Sequence, residues 1–417
     1  MESSELHNCL HKNELLHALC VRAPTFPILE LKAMKAKLLA GIPAENSALF
    51  HRVRFSVGDP AAWIEFSDAA AGSKASDSLF IVRDIEADRA RSAVKVSRVA
   101  APADFTPEGG LSGDRATATA QAVAECLKRR QVELVTTDRT LPYIFVWHIQ
   151  ECGIALEYSP EMGVIERRVK DAQEIEWLQK AQAVTEDAVL MACQTVARAS
   201  AKRDGTLQHA GAPLTSERMR QMISVYLLEH GFSNHHDSIV ASLPQSADCH
   251  ERGAGPIVTG QGVIIDIFPQ DQATRYWGDC TRTVVHGQPT EAFAKMHTAV
   301  VDAKRAAIAA LLPGATADSV HAATKATLAQ HGYQFARGQI SDQAVMPHGT
   351  GHGVGLEVHE PILLDDNGGT LLEGEVFTVE PGLYGRKDGG VRVEDMLVVQ
   401  AGQAKNLNRL PEGLSWI

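Results

Sequence analysis

The 417-residue sequence predicts an α+β protein in two parts, a smaller α/β domain over residues 1–169 and a larger domain over residues 170–417. Three observations carry that expectation. The length exceeds the ~100–200 residues usual for one domain. The first part alternates short apolar runs with helix-like stretches. The second opens on a long amphipathic segment and afterwards keeps helical and strand-like runs apart, as α+β chains do.

In the first part, the apolar runs at 78–82 and 132–136 predict strands, and 115–130 predicts a helix. Between 98 and 114 the Ala, Pro and Gly content rises, which predicts a loop inside this domain. No chemistry can be assigned to this half. At 171 the segment DAQEIEWLQKAQAVTEDAVLMACQTVARA sets Ile175, Leu178, Ala181, Val184, Ala188 and Met191 three and four apart, so it predicts a helix with one buried face. Asp171 caps that helix and Glu174 stands three residues later, a capping-box arrangement that puts the domain junction just before 171. Further helices are expected at 215–230, 290–312 and 318–331, closed by Gly231, by Pro313 with Gly314, and by Gly332. Strand-like runs fall at 238–242, 263–268, 282–286, 376–380 and 391–399.

Hydrophobic residues at 45% and charged residues at 22% describe a folded globular chain. A formal net charge of -11 gives no electrostatic footprint for a phosphate backbone, so no nucleic-acid partner is expected. No run of ~18 apolar residues and no basic start before an apolar stretch is present, so no membrane partner is expected. The seven cysteines, Cys9, Cys20, Cys126, Cys152, Cys193, Cys249 and Cys280, are odd in number and form no CxxC pair, which fits a reducing cytoplasm. Cys249 beside His250 admits a thiol-nucleophile reading, but catalytic Cys and His meet in space rather than in sequence.

Two segments place carboxylates inside apolar runs. VIIDIFPQDQATRYWGDCTRTVV carries Asp266 and Asp279, and VFTVEPGLYGRKDGGVRVEDMLVV carries Glu380 and Glu394. In each, two strand-like runs flank a turn-rich stretch, so hairpin pairing predicts that the two acids face one another across adjacent strands. Buried anions without partners are destabilising or take up protons, so something positive is expected among them. A metal pair answers this; ion pairs with Arg282 or Arg392 are the plainer alternative. The segment HGTGHGVGLEVHEP adds His348, His352 and His359 as neutral nitrogen donors, while its glycines let backbone pass close to a site. Read as a phosphate loop it fails, because GTGHGVG lacks GxGxxG and opens no obvious helix. His7, His11, His17, His209 and His321 have no such spacing and are read as core or surface residues.

With WGDCTRT, HGTGHGVGLEVHE, FTVEPGLY and GVRVED in this order, residues 170–417 resemble the Xaa-Pro peptidase branch of the pita-bread metallopeptidases, which includes prolidases and aminopeptidase P and, more distantly, methionine aminopeptidases. The first 170 residues resemble it only as the kind of domain this branch carries there. The resemblance implies a pita-bread catalytic domain behind a creatinase-N-like domain. It implies five metal ligands, Asp266, Asp279, His352, Glu380 and Glu394, with Asp279 and Glu394 bridging two ions. It assigns His250 and His359 to the scissile peptide and the developing oxyanion, and His348, Tyr384 and Arg392 to substrate binding or its support. One departure is the spacing of 13 from Asp266 to Asp279, two longer than usual, which predicts a longer PQDQATRYW loop over the site.

Such a site would hydrolyse the Xaa-Pro bond at the amino terminus of dipeptides or short peptides. Two divalent ions about 3.5–4 Å apart share a hydroxide, since coordination lowers the pKa of water from 15.7 to about 7. Glu380 would handle the water's proton and pass it to the leaving nitrogen. Four carboxylates among five ligands make a hard site, for which Mn2+ is the first expectation, with Co2+, Zn2+ and Fe2+ as alternatives. A methionine aminopeptidase-like enzyme is the first alternative function, against which the 170 leading residues count. A metal-free binding protein of the same fold is the second, against which the intact ligand set counts. Relatives commonly pair through the leading domain, so a homodimer is expected.

Overall fold

The structure, a computed structural model, describes residues 34–67, 77–338 and 340–417. Cys9, Cys20, His7, His11 and His17 lie outside the described residues. Six strands form one mixed sheet in the order Arg98–Ala100, Asp77–Ile81, Ala61–Ser67, Met34–Gly41, Val132–Thr137, Ala155–Tyr158. Alternate residues of these strands turn to opposite faces. Leu38, Ile64 and Leu79 pack with Val123 and Leu127 of helix Arg115–Arg129 on one face, and Leu39, Trp63 and Phe80 with Leu49 and Val53 of helix Ser47–Val53 on the other. Covering both faces is what makes this an α/β unit. Asp114 starts the longer helix by accepting the Thr117 N–H at 2.8 Å.

The long helix runs Ala172–Ala197. Asp171 accepts the Glu174 N–H at 2.8 Å, and Glu174 accepts the Asp171 N–H at 2.9 Å, so the capping box forms as its sequence dictates. Its buried stripe, Ala181, Ala188, Ala192 and Val196, lies on Val263, Ile265, Ile267 and Val284. Helices Ser216–Glu229, Glu291–Ala310 and Ala317–Gln330 each begin behind a threonine, Thr215, Thr290 and Thr316, whose side chain accepts a first-turn N–H.

Three further sheets converge beside these helices. Ile239–Ala241, Gly262–Ile267 and Cys280–Val285 form an antiparallel sheet in which Asp266 opposes Thr281 and Ile267 opposes Cys280. Asp279 therefore precedes the pairing and stands diagonal to Asp266 on the same face, which corrects the expectation that the two aspartates lie directly opposite. The same register continues beyond the strands, with the Gly278 N–H on the Pro269 carbonyl at 3.0 Å and Gln270 opposite Trp277, so the turn proper is 271–276. The second pair behaves as expected. Val376–Val379 pairs with Asp395–Val398 so that Val379 opposes Asp395, and the register continues to set Glu380 against Glu394.

The run expected as one strand at 391–399 is two. Gly389–Arg392 pairs with Gly382–Gly385 in a four-stranded sheet, and Asp395–Val398 belongs to a five-stranded one. Between them the Glu394 N–H turns aside to the Thr281 carbonyl at 3.1 Å. Glu394 thus sits where the chain leaves one sheet for the next.

Candidate metal centre and its cleft

Asp266 is the penultimate residue of a buried strand, Asp279 precedes one, and Glu380 and Glu394 flank the strand pair of the five-stranded sheet, to which His352 also belongs. Local chemistry fixes each. Gln182 of the long helix holds the Asp279 backbone from both sides, accepting its N–H at 2.8 Å and donating to its carbonyl at 2.7 Å. Gly278 has to be glycine, because a Cβ there would lie 2.1 Å from Thr185 Oγ1. Gly351, just before His352, passes so close to Thr378 that a Cβ would meet its carbonyl oxygen at 1.9 Å. The glycines of HGTGHG thus bring backbone against backbone.

All five converge on one cleft of about 750 Å³. Asp279, His352 and Glu394 are buried and each offers a ligand atom within 4.8 Å of the others. His352 Nε2 lies 3.5 Å from Glu380 Oε1 and 3.7 Å from Asp279 Oδ2. His352 Nδ1 stands 3.1 Å from the Gly353 carbonyl, which can only accept. The proton is therefore on Nδ1, and Nε2 turns a lone pair to the acids. Burial, followed by the neighbouring His359, holds the His352 pKa down to about 3, so the ring is neutral.

The carboxylates are the reverse. Burial, together with Glu394, Asp266 and Glu380, raises Asp279 well above the usual carboxylate range, and burial with Glu380 and Asp266 does the same to Glu394. Glu380 is pushed up to about 7 by burial, which prevails over Arg392 and is reinforced by Asp266. Among the described residues the ion-pair alternative holds for one acid: Arg392 Nη2 donates to Asp266 Oδ2 at 2.5 Å. Arg282 is committed elsewhere, to Asp395 at 2.8 Å. The other oxygen of Asp266, Oδ1, is buried without a hydrogen-bond partner. An orphaned carboxylate oxygen beside three proton-hungry acids and a neutral imidazole is a donor set that a divalent cation would complete.

Residues 176–401 match the model of metallopeptidase family M24. The chain belongs to that family. It is 29% identical over 284 residues to an Xaa-Pro dipeptidase of Pyrococcus furiosus, covering 67% of this chain and 75% of the relative. Among solved structures it resembles a prolidase from Pyrococcus horikoshii (TM-score 0.70, 22% identity, 91% and 95% of the two chains). It also resembles an Xaa-Pro dipeptidase from Bacillus anthracis (TM-score 0.73, 21% identity, 91% and 94%). The resemblance to the Xaa-Pro peptidase branch and its pita-bread fold therefore stands, and this M24 chain is a peptide hydrolase.

Around these five side chains of the M24 peptidase a chain of directed hydrogen bonds runs through Arg392. Its Nε donates to Thr281 Oγ1 at 3.1 Å, and Thr281 donates to Glu394 Oε2 at 2.7 Å. Its Nη1 donates to the Tyr384 hydroxyl at 2.8 Å, and Tyr384, kept protonated by burial, donates to His348 Nε2 at 3.0 Å. His348 Nδ1 faces the Gly349 carbonyl at 2.8 Å, which leaves Nε2 as the acceptor, and burial and Arg392 hold its pKa down to about 4. His348, His250, His359 and Arg392 line the cleft, whereas Tyr384 is buried behind His348. The His359 ring stands edge-on to His352 at 4.3 Å.

The PQDQATRYW loop does not lie over the site. It docks against the first 170 residues and the start of the long helix: Arg54 Nη1 donates to Tyr276 Oη at 2.7 Å, Arg275 Nη1 reaches the Pro43 carbonyl at 2.6 Å, and Tyr276 donates to Glu174 in the helix's first turn. A loop with these polar anchors on the neighbouring unit and on the long helix is held away from the cleft. Sequence reasoning missed Thr281, Gln182, His236, Arg337 and Asp365. His236, on the cleft wall, stacks on Trp277 at 5.8 Å, and Arg337, half exposed there, grips Asp365 Oδ1 and Oδ2 at 2.7 and 2.8 Å. None carries a local signal, since each is defined by a partner far away in sequence. Two other acid and histidine groups are poorer cation sites: Asp248, Cys249 and His250 are consecutive and partly exposed, and Asp365 and Asp366 are already paired with Arg337 and Lys325.

Proposed function

We propose that this M24 peptidase is a two-metal exopeptidase that removes the amino-terminal residue from dipeptides or short peptides whose second residue is proline. The observation that carries the reading is the convergence of four acids and one neutral imidazole in a single cleft, with one acid oxygen unsatisfied and three of the acids pushed above the usual carboxylate range by burial and by one another. Asp266, Asp279, His352, Glu380 and Glu394 would hold the ions, and the oxygen-rich set favours Mn2+. When bound, two divalent ions supply a water acidified from 15.7 towards about 7 and a Lewis acid for the scissile carbonyl.

The chain's own residues do the rest. Glu380 takes the proton of the attacking water and delivers it to the leaving nitrogen, which in an Xaa-Pro bond carries no hydrogen of its own. His250 and His359 donate to the developing oxyanion, a contact stronger in the transition state than in the ground state. Arg392 orients Asp266, Thr281 and Tyr384 at once, and Tyr384 in turn fixes His348. The apolar side chains of Ile239, Phe268, Val358 and Leu363 line the cleft, a surface suited to a proline ring. The partition at 169/170, a cytoplasmic location and a homodimer belong to the same reading. Free Cys126, Cys152, Cys193, Cys249 and Cys280 suit a reducing compartment.

The test is competition among Xaa-Pro, Xaa-Pro-Xaa and Met-Ala peptides, with protein stripped by chelator and reloaded with Mn2+ or Co2+. The expected result is cleavage of the proline substrates alone, abolished by stripping and restored by reloading. Undiminished activity in protein shown metal-free by elemental analysis would sink the reading, and preference for Met-Ala would move it to the methionine aminopeptidase branch.

A further inference from the structure

The segment that joins His352 to His359 folds around one buried carboxylate. Glu360, directly after His359, is 3% exposed. Its Oε1 accepts the Leu356 N–H at 3.0 Å and Arg167 Nη1 at 3.2 Å, and its Oε2 accepts Lys170 Nζ at 2.8 Å. The turn closes tightly enough that a Cβ on Gly355 would lie 2.7 Å from Oε2. Both cations come from the stretch between the six-stranded sheet and the long helix, and both are buried, Lys170 at 2% and Arg167 at 8% side-chain exposure. Arg167 is itself fixed by donating Nε to the Gly163 carbonyl at 2.8 Å, and the Lys170 N–H bonds the Gly374 carbonyl at 3.0 Å.

A second arm grips the same segment. The Trp277 N–H donates to the Gly355 carbonyl and its indole N–H to the Leu356 carbonyl, both at 3.0 Å. Trp277 follows Tyr276 and Arg275, whose partners Arg54 and Pro43 belong to the first part of the chain.

We propose that Glu360 is a positioning residue for the reaction, anchored by Lys170 and Arg167, and that through it the chain ahead of the long helix sets where His359 stands in the cleft. This rests on the reading above in one respect, that His359 meets the substrate. The physical reason is directional. Both Glu360 oxygens are engaged, so its carboxylate cannot rotate, and the backbone between Leu356 and Glu360 is pinned at both ends. His359 lies inside that pinned span. Loss of Lys170 leaves Glu360 with Arg167 and the Leu356 N–H, so the carboxylate stays satisfied on one side and free to turn on the other. Loss of Glu360 instead strands the buried Lys170, while Arg167 keeps Glu357 at 3.1 Å, and is the more damaging change.

The test is therefore Lys170→Met in the full-length, metal-loaded protein, with Lys170→Arg as the conservative variant and Glu360→Gln in support. Misplacing a catalytic group by about 1 Å costs on the order of 10²-fold, so Lys170→Met should lower kcat on an Xaa-Pro peptide by ~10- to 100-fold with KM little changed. Metal content should equal the parent's, amide exchange over 354–360 should quicken, and Lys170→Arg should recover most of the rate. A kcat per folded chain within about two-fold of the parent, even with a lowered melting temperature, overturns the proposal, as does unchanged exchange over 354–360. If the parent itself cleaves no Xaa-Pro peptide, the functional reading falls, and the exchange measurement alone decides whether Lys170 holds the segment.

Discussion

Metal uptake by this protein should release protons, in a number that depends on pH. Asp279 and Glu394 are held well above the ordinary carboxylate range, chiefly by burial and then by the acids around them, and Glu380 is raised to about 7. At pH 6 the metal-free protein keeps a proton on Glu380 in ~0.9 of molecules, on a simple titration with that midpoint, and at pH 8 in ~0.1. Ligation requires the deprotonated forms, so binding Mn2+ at pH 6 should expel about one proton from Glu380 in addition to those held by Asp279 and Glu394. Calorimetric titration at pH 6, in two buffers of contrasting ionisation enthalpy, reads the number directly. The Glu380 share should fade on passing pH 7, and apparent affinity should rise with pH until it does. Buffer-independent heats at pH 6 would refute the argument, because the acids would then be ionised before any cation arrives. The sign for stability follows. A carboxyl whose folded pKa lies above its unfolded value binds more protons in the folded state, so Glu380 withdraws stability from the metal-free protein as pH climbs from about 4.5 to about 7. Bound metal should remove that dependence.

Three further outcomes are expected. Glu380→Gln should lose turnover by ~10³-fold or more, since it removes a ligand and the proton carrier together, and near-normal turnover in the folded variant would reassign the residue. His359→Ala and His250→Ala should each cost ~10²- to 10³-fold in kcat while retaining the full complement of ions, and a parallel fall in metal content by elemental analysis would make that histidine a ligand. Light scattering at micromolar concentration should give twice the chain mass, as a two-fold symmetric pair requires, and a monomer mass would contradict it.

How much of this could be read from the sequence depends on how local the physics is. The Asp171 capping box spans three residues, so the start of the long helix is legible, and so are helix starts at Thr215 and Thr290, whereas the third helix, expected from 318, begins behind Thr316. The carboxylates are legible because an acid inside an apolar run is costly wherever the run ends up. Their diagonal placement in the first pair is not, because it is set by the register that the turn at 271–276 imposes rather than by either strand. Hydropathy could not separate Gly389–Arg392 from Asp395–Val398, since both halves are fully buried and the change of sheet is made by one backbone hydrogen bond to Thr281. The longer loop went elsewhere for the same reason: Tyr276 finds Glu174 across 102 residues and Arg54 across 222. Glu360 and its cations lie about as far apart, and no pattern of spacing announces them.

Glu394 and Asp395 show in two neighbouring residues what separates a carboxylate that supports the fold from one that awaits a ligand. Adjacent positions of an extended chain turn to opposite sides. Asp395 turns to Arg282 at 2.8 Å, to Lys304 and to Asn406 Nδ2 at 2.8 Å; burial acts to raise its pKa, but the two cations hold it below the usual value. Glu394 turns to the cleft, where its polar support is the Thr281 hydroxyl and its acidic neighbours Glu380 and Asp266 join burial in driving its pKa up. Both side chains are almost fully buried, so desolvation alone does not distinguish them. The difference lies in the charge that each meets. Asp395 brings its counterions with it from helix Glu291–Ala310 and strand Cys280–Val285, and is complete as folded. Glu394 faces Glu380 and Asp266, whose effect on it exceeds that of Arg392, an arrangement that costs stability unless a cation from outside the chain completes it.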